Sequence, residues 1–180
     1  MQNEFFKDGA RNDTREIADI FLDGTKLEDV SFESSKLSGV NVINSAIVGF
    51  DFVDSKMDRG NLSNTKLEKA YFKGSSLIAS KATGLDVSEG ELKSVKFKDC
   101  KIDFANFSFA HLKEVEFKDC VLINASFQGS SLNKVSFAGC DLSGSNINGL
   151  RVEVVNFRHL TVDHSQVAYF AALLGLKVKN

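Results

Sequence analysis

From Ile17 to Val167 every fifth residue is apolar, thirty-one times in succession without a slip of phase. The series opens Ile17, Leu22, Leu27, Phe32 and closes Phe157, Val162, Val167. A period of five matches neither the 3.6 of an α-helix nor the 2 of a strand, so it announces an internal repeat. Two residues before each apolar centre the side chain is usually small, as at Ser35, Ser45, Ala70, Cys100, Ala105 and Ala125. Two residues after the centre Gly, Asn and Asp recur, and nine of the thirteen glycines fall there within the run. These residue types tolerate a positive φ in a tight turn. Each unit therefore predicts a short extended piece, one large and one small inward side chain, and a corner.

Four such units close a square coil, so residues twenty apart should stack. The sequence agrees. Phe32, Phe52 and Phe72 share one column, Phe97, Phe117, Phe137 and Phe157 a second, and Phe107 and Phe127 a third. The small positions form columns too: Ser35, Ser55 and Ser75 give way to Val95, Val115 and Val135, and Cys100, Cys120 and Cys140 align in another.

Units such as Cys140-Asp141-Leu142-Ser143-Gly144, Ala105-Asn106-Phe107 and Ser145-Asn146-Ile147 carry a resemblance to the A-(D/N)-L-x-x pattern of pentapeptide repeat proteins, over roughly residues 15 to 169. The resemblance implies an all-β fold, a right-handed quadrilateral β-helix of about eight coils. At about 4.8 Å per coil the rod would be on the order of 40 Å tall. The expected organisation is a lead-in or cap over residues 1–16, the β-helix over 17–163, and a C-terminal helix and tail over 164–180.

The two ends need covers, because a solenoid coil contacts only its neighbours. Phe5 and Phe6 are the candidates at the first coil. At the other end the period changes. Asp163 reads as a helix cap with Gln166 three residues on, Val167, Phe170, Ala171 and Leu174 recur at helical spacing, and Gly175 stops the helix. Leu176 and Val178 then read as a short strand. The helix is apolar nearly all round, so one face is expected on the last coil and the other against a second copy of the chain. Val167, Phe170, Ala171, Leu173 and Leu174 are the expected homodimer interface. Dimers joined in this way are also what the resemblance implies. In mid-chain, residues 81–90 are the least regular units, with Ala82 at a centre and Leu85 at a small position. They are expected to form the weakest coil.

Composition changes the picture little. The 180 residues contain no proline, three cysteines and a formal net charge of −2. The cysteines, twenty apart, read as buried wall residues rather than a disulfide or metal set. No apolar run approaches a membrane span, and residues 1–16 lack a secretory core, so a cytoplasmic location is expected. His111, His159 and His164 read as corner and wall residues. No phosphate loop, metal set or nucleophile–base pair stands out, so neither cofactor nor enzymatic activity is expected.

Function then rests on surfaces. Phe104 and Phe109 fall at corners, and Val121 and Ile123 share a face with Phe104. Phe104, Val121 and Ile123 are the candidate patch for a protein partner. Some pentapeptide repeat proteins protect DNA gyrase from quinolones by imitating the charge and shape of duplex DNA, and the segment from Gln166 to Leu176 resembles that group. Such imitation needs a dense acidic surface, whereas the face centred on Phe97, Phe117 and Phe137 leans basic. The expectation is a rigid binding scaffold with an unidentified protein partner, DNA gyrase being the alternative. Direct nucleic acid binding is not expected.

Overall fold

The computed structural model describes residues 3–177. They form a quadrilateral β-helix of about seven turns. The count of units implies slightly more because the last centre, Val167, has entered the terminal helix. Parallel pairing links residues twenty apart throughout. On the first face Asn12 pairs with Phe32, Phe32 with Phe52, Phe52 with Phe72, and the ladder continues through Leu92 and Leu112 to Leu132. On the second face Ile17 leads through Leu37, Met57, Leu77, Phe97 and Phe117 to Phe137. Above Leu132 the register slips, so that Asn133 faces Val154 while Val135 faces Val155.

The third and fourth faces behave differently. In the lowest coils they are strands, with Leu22 opposite Val42 and Leu27 opposite Ile47. From Asn61 upward they reduce to single bridges between coils, and each corner closes by a turn hydrogen bond. Thr65 N–H donates to Leu62 O at 3.2 Å, and Ala110 N–H to Phe107 O at 3.1 Å. At Val30 and Phe50 the chain stays extended through the corner as continuous strands, Lys26–Glu33 and Ala46–Val53, whereas at Leu150 a turn hydrogen bond to Ile147 O closes the corner.

On the first two faces hydroxyls do the work that turns do elsewhere. Ser55 Oγ accepts from Ser35 N–H at 2.9 Å and donates to Val53 O at 2.7 Å, and Ser75 Oγ accepts from Ser55 N–H at 3.1 Å. Buried N–H groups need such partners. The thiol column copies the donor half, Cys100 Sγ donating to Leu77 O and Cys120 Sγ to Phe97 O at 3.3 and 3.5 Å.

The rod begins earlier than residue 17. Arg11–Asp13 is already a strand, and its centre is polar, which hid it from an apolar pattern. Asn12 is buried, and its Nδ2 donates to Phe5 O and Ser31 O. Phe6 covers the coil, buried with its ring 5.0 Å from that of Phe32. The expected weak coil at residues 81–90 is regular. Ala82 and Leu85 are both 1% exposed, and pairing continues from Asn61 through Lys81 to Lys101. Leu85 supplies the volume that Ala82 gives up. A narrow apolar gap lies lower down instead, among Phe50, Phe52, Met57, Leu62, Phe72 and Leu77.

Candidate functional site

At the C-terminal end a 3-10 turn, His164–Gln166, leads into α1, Val167–Leu173. Gln166 is the plug. Its Oε1 accepts from Asp163 N–H at 2.8 Å, and its Nε2 donates to Leu142 O and Ser145 O at 2.9 Å each. Phe170 is buried edge-on against Phe157, ring centres 5.2 Å apart, and Tyr169 and Leu173 lean on the same core. This corrects the expected interface. Phe170 and Leu173 face the rod, because positions 166, 169, 170 and 173 form one side of the helix. Val167 and Leu174 are exposed and Ala171 is half-buried, so these three form the outward stripe. Gly175 at φ 76° ends the helix. Leu176 is exposed and not in a strand, and Val178 lies outside the described residues.

The second surface is the corner at Phe104, whose backbone is left-handed at φ 57° and whose side chain is 61% exposed. Such a φ is uncommon for a bulky residue. Beside it stand Val121, exposed, and Ile123, half-buried. Phe104 N–H donates to Ile123 O at 2.9 Å, which ties the corner to the next coil. The three expected patch residues therefore come together. Asp103 underlies them. One of its oxygens lies 3.3 Å from Lys101 Nζ, and the other is buried with no hydrogen-bond partner. A shallow depression next to the patch is lined by Asp99, Lys101, Asp103, Asp119, Val121 and Ile123. Sequence reasoning missed Asp103, which reads as an ordinary outward residue and is buried only by its neighbours.

Lys36 pairs with Glu16, Lys96 with Glu116 and Lys134 with Glu114 across adjacent coils, all largely exposed and each contributing little. Among the described residues no three His, Cys, Asp or Glu side chains converge as a metal site would require. The three cysteines are buried free thiols. Cys100 is held well above the usual thiol range, first by its contact with the Cys120 thiol and then by burial. For Cys120 the Cys100 thiol acts downward, but the Cys140 thiol and burial outweigh it and push the group up to about 12. Neither is a nucleophile at neutral pH.

A parallel solenoid of five-residue units around a filled core defines a class of repeat proteins. The model of the pentapeptide repeat region matches residues 51–127 and 90–170, and the chain belongs to that family. No curated protein matches it. Among solved structures it is similar to QnrB1, a plasmid-mediated fluoroquinolone resistance protein, at 19% identity over 93% of this chain and 96% of that one, with a TM-score of 0.34. It is also similar to HetL, involved in heterocyst differentiation regulation in the cyanobacterium Nostoc sp. strain PCC 7120, at 13% identity over 86% and 90%, with a TM-score of 0.42. Rfr23 from the cyanobacterium Cyanothece 51142 is 15% identical over 74% and 88%, with a TM-score of 0.43.

Proposed function

We propose that the protein is a rigid, non-enzymatic binding module whose protein partner docks on Phe104, Val121 and Ile123. The observation that carries this reading is the exposed Phe104 on an otherwise regular wall, beside a depression that mixes apolar and charged side chains. A contact surface of that make-up fits a protein better than a small molecule. Full-length protein used as bait in an extract should retain a partner that Val121→Lys combined with Ile123→Lys releases. Equal capture by both forms would remove the patch from the reading.

The proposal includes a homodimer through the outward stripe of α1, Val167, Ala171 and Leu174, with Leu176 at its edge. An apolar stripe on a helix whose other side is already buried needs a second cover, and a second copy closes the contact by two-fold symmetry. Leu174→Glu should give monomers with the rod intact. Light scattering at tens of micromolar that finds wild-type monomer would refute the dimer. A cytoplasmic location belongs to the same proposal, since reduced buried thiols suit that compartment, and cell fractionation tests it.

The second reading is a DNA gyrase-binding protein that protects against quinolones. It is supported by the resemblance of the segment Gln166–Leu176 to that group, and weakened by a net charge of only −2 with acidic groups interleaved among lysines. A gyrase supercoiling assay with and without quinolone separates the two. Rescue or inhibition by the protein favours this reading, and no effect leaves the scaffold.

A further inference from the structure

The outward side chains of the fourth face change character part-way up the rod. In the lower coils they are Lys26 and Glu28, then Lys66 and Glu68 after an apolar pair, then Asp86 and Ser88. Above them come Asn106 and Ser108, Ser126 and Gln128, Asn146 and Asn148. Three successive coils therefore carry only amides and hydroxyls, although 26% of the chain is charged. The flanking faces keep their charges at the same height, at Lys101 and Asp141 on one side and Lys113 and Arg151 on the other.

These groups are ordered. Asn106, Ser126 and Asn146 lie in parallel register. Ser108 Oγ and Ser126 Oγ are 2.8 Å apart, and Asn146 Nδ2 donates to Gln128 Oε1 at 3.3 Å. Asn106 Oδ1 accepts from Ser108 N–H, and Asn146 Oδ1 from Asn148 N–H. Asn106 and Gln128 are each held at one end, and Asn146 at both. Within the described residues, Asn106 Nδ2 and Gln128 Nε2 donate to no protein atom.

Two phenylalanines border the base of this face. Phe104 and Phe109 occupy its two corners in one coil, at φ 57° and 60°, and are 61% and 56% exposed. A Cβ added at Gly129, one coil up, would come within 2.7 Å of the Phe109 ring. The ring therefore lies along the edge of the face, over a glycine. A bulky residue in left-handed backbone costs stability, and an exposed ring recovers little of that by burial. Asn or Gly suits such a backbone better, so backbone preference does not account for the rings.

We propose that this part of the fourth face binds an uncharged polysaccharide chain. A pyranose offers hydroxyls all round and apolar C–H faces. The fixed amides and hydroxyls match the hydroxyls, and an exposed ring at the corner can lie against a C–H face. The absence of charge argues against a polyanion, which would need lysines or arginines here. From the first to the third coil the face runs roughly 10 Å, enough to hold a short stretch of sugar residues. The inference is independent of the protein partner assigned to the third face. Only Phe104 borders both, so Phe109 and Gln128 are the residues to test.

The test is native electrophoresis of the full chain through gels containing a neutral β-glucan, a xyloglucan or a galactomannan, with a carboxylated polysaccharide as control. At least one neutral polymer should retard the wild type. Phe109→Asn should weaken that binding at least about fivefold, which is roughly 1 kcal/mol, while leaving the melting temperature the same or higher. Gln128→Glu, on the exposed surface, should weaken binding comparably and decides the matter if Phe109→Asn folds poorly. The proposal is overturned if no neutral polymer retards the wild type, if only the carboxylated one does, if both variants bind as well as the wild type, or if the only ligand found for this face is a protein.

Discussion

The lower and upper halves of the rod obey one spacing and pack in two ways. Below, Phe32, Phe52 and Phe72 stand in one column, yet successive rings are tilted by 66° and 62° at 6.3 and 5.9 Å. Phe50, in a position that is Ala, Gly or Ser in the next four coils, wedges in beside Phe52 at 6.2 Å. Above, Phe97, Phe117 and Phe137 lie parallel within 8° at 4.9 and 5.1 Å, and Phe107 lies on Phe127 at 2° and 4.9 Å. The two upper columns meet edge to face at 88° and 89°, a herringbone of the kind aromatic rings prefer. The contrast teaches that the period fixes where side chains stand, while Val30 and Phe50 at the small positions change how the lower rings fill the space. With Ala or Ser at the fourth-face corner the upper turns close tightly. With Val30 or Phe50 there, the strands run on and the rings splay, leaving the narrow gap beside Met57.

The most severe way to probe the contrast is truncation. Phe117→Ala should lose about 3–5 kcal/mol of unfolding free energy, with Phe52→Ala at the lower end of that range, because Phe50 and Met57 can relax into a site that is already loose. Urea unfolding at unchanged m-value measures both, and an equal or reversed ranking would break the comparison. Next in size is Ser55→Val, which places the upper-half residue in the lower half. It should cost about 1–2 kcal/mol by leaving Ser35 N–H without a partner, and a neutral result would deny the hydroxyl ladder its role. Smaller still is a difference in local opening. Amide exchange should be slower over residues 97–137 than over 50–77, and uniform protection would erase the distinction. The last effect is one of pH, and it appears only in alkali. The Cys120 thiol is pushed up to about 12 in the folded chain, against about 8.5 when unfolded. Between those values the unfolded chain holds fewer protons, so stability should be unchanged below pH of about 8.5 and fall as pH rises above it. Cys120→Val should flatten that decline, and thermal melts across the window check it.

The square rod was legible because both periods, five and twenty, are written in side-chain size. What escaped was whatever departs from size. Asn12 holds a centre position with hydrogen bonds instead of apolar volume, so the first coil was placed too late. Phe50 breaks the small column, and only the packed rings reveal the consequence. The helix stripe was read at the right spacing, but spacing alone does not say which side meets the rod, and the fit of Phe170 on Phe157 turned it. Of the candidate patch, Phe104, Val121 and Ile123 were readable as outward apolar positions. The buried oxygen of Asp103 was not, because its burial is a property of neighbours twenty residues away. The uncharged run on the fourth face was present in the sequence but scattered at intervals, and it becomes a surface only when three coils are stacked.

Gln166 has a further consequence, for assembly. A bare coil end is an unsatisfied sheet edge, and sheet edges recruit more strands. In lower coils a carbonyl such as Leu122 O accepts from the Ser145 hydroxyl of the coil above, and Ala125 O from Asn146 N–H. At the top, the one amide of Gln166 supplies both donors, to Leu142 O and Ser145 O. That corner of the rod has been terminated in the way a chain reaction is terminated, by a unit that consumes the growing end without creating a new one. The opposite end presents exposed Arg15, Glu16 and Asp19. At the Gln166 corner the two carbonyls are already taken, so it offers end-to-end growth no acceptor from which to start.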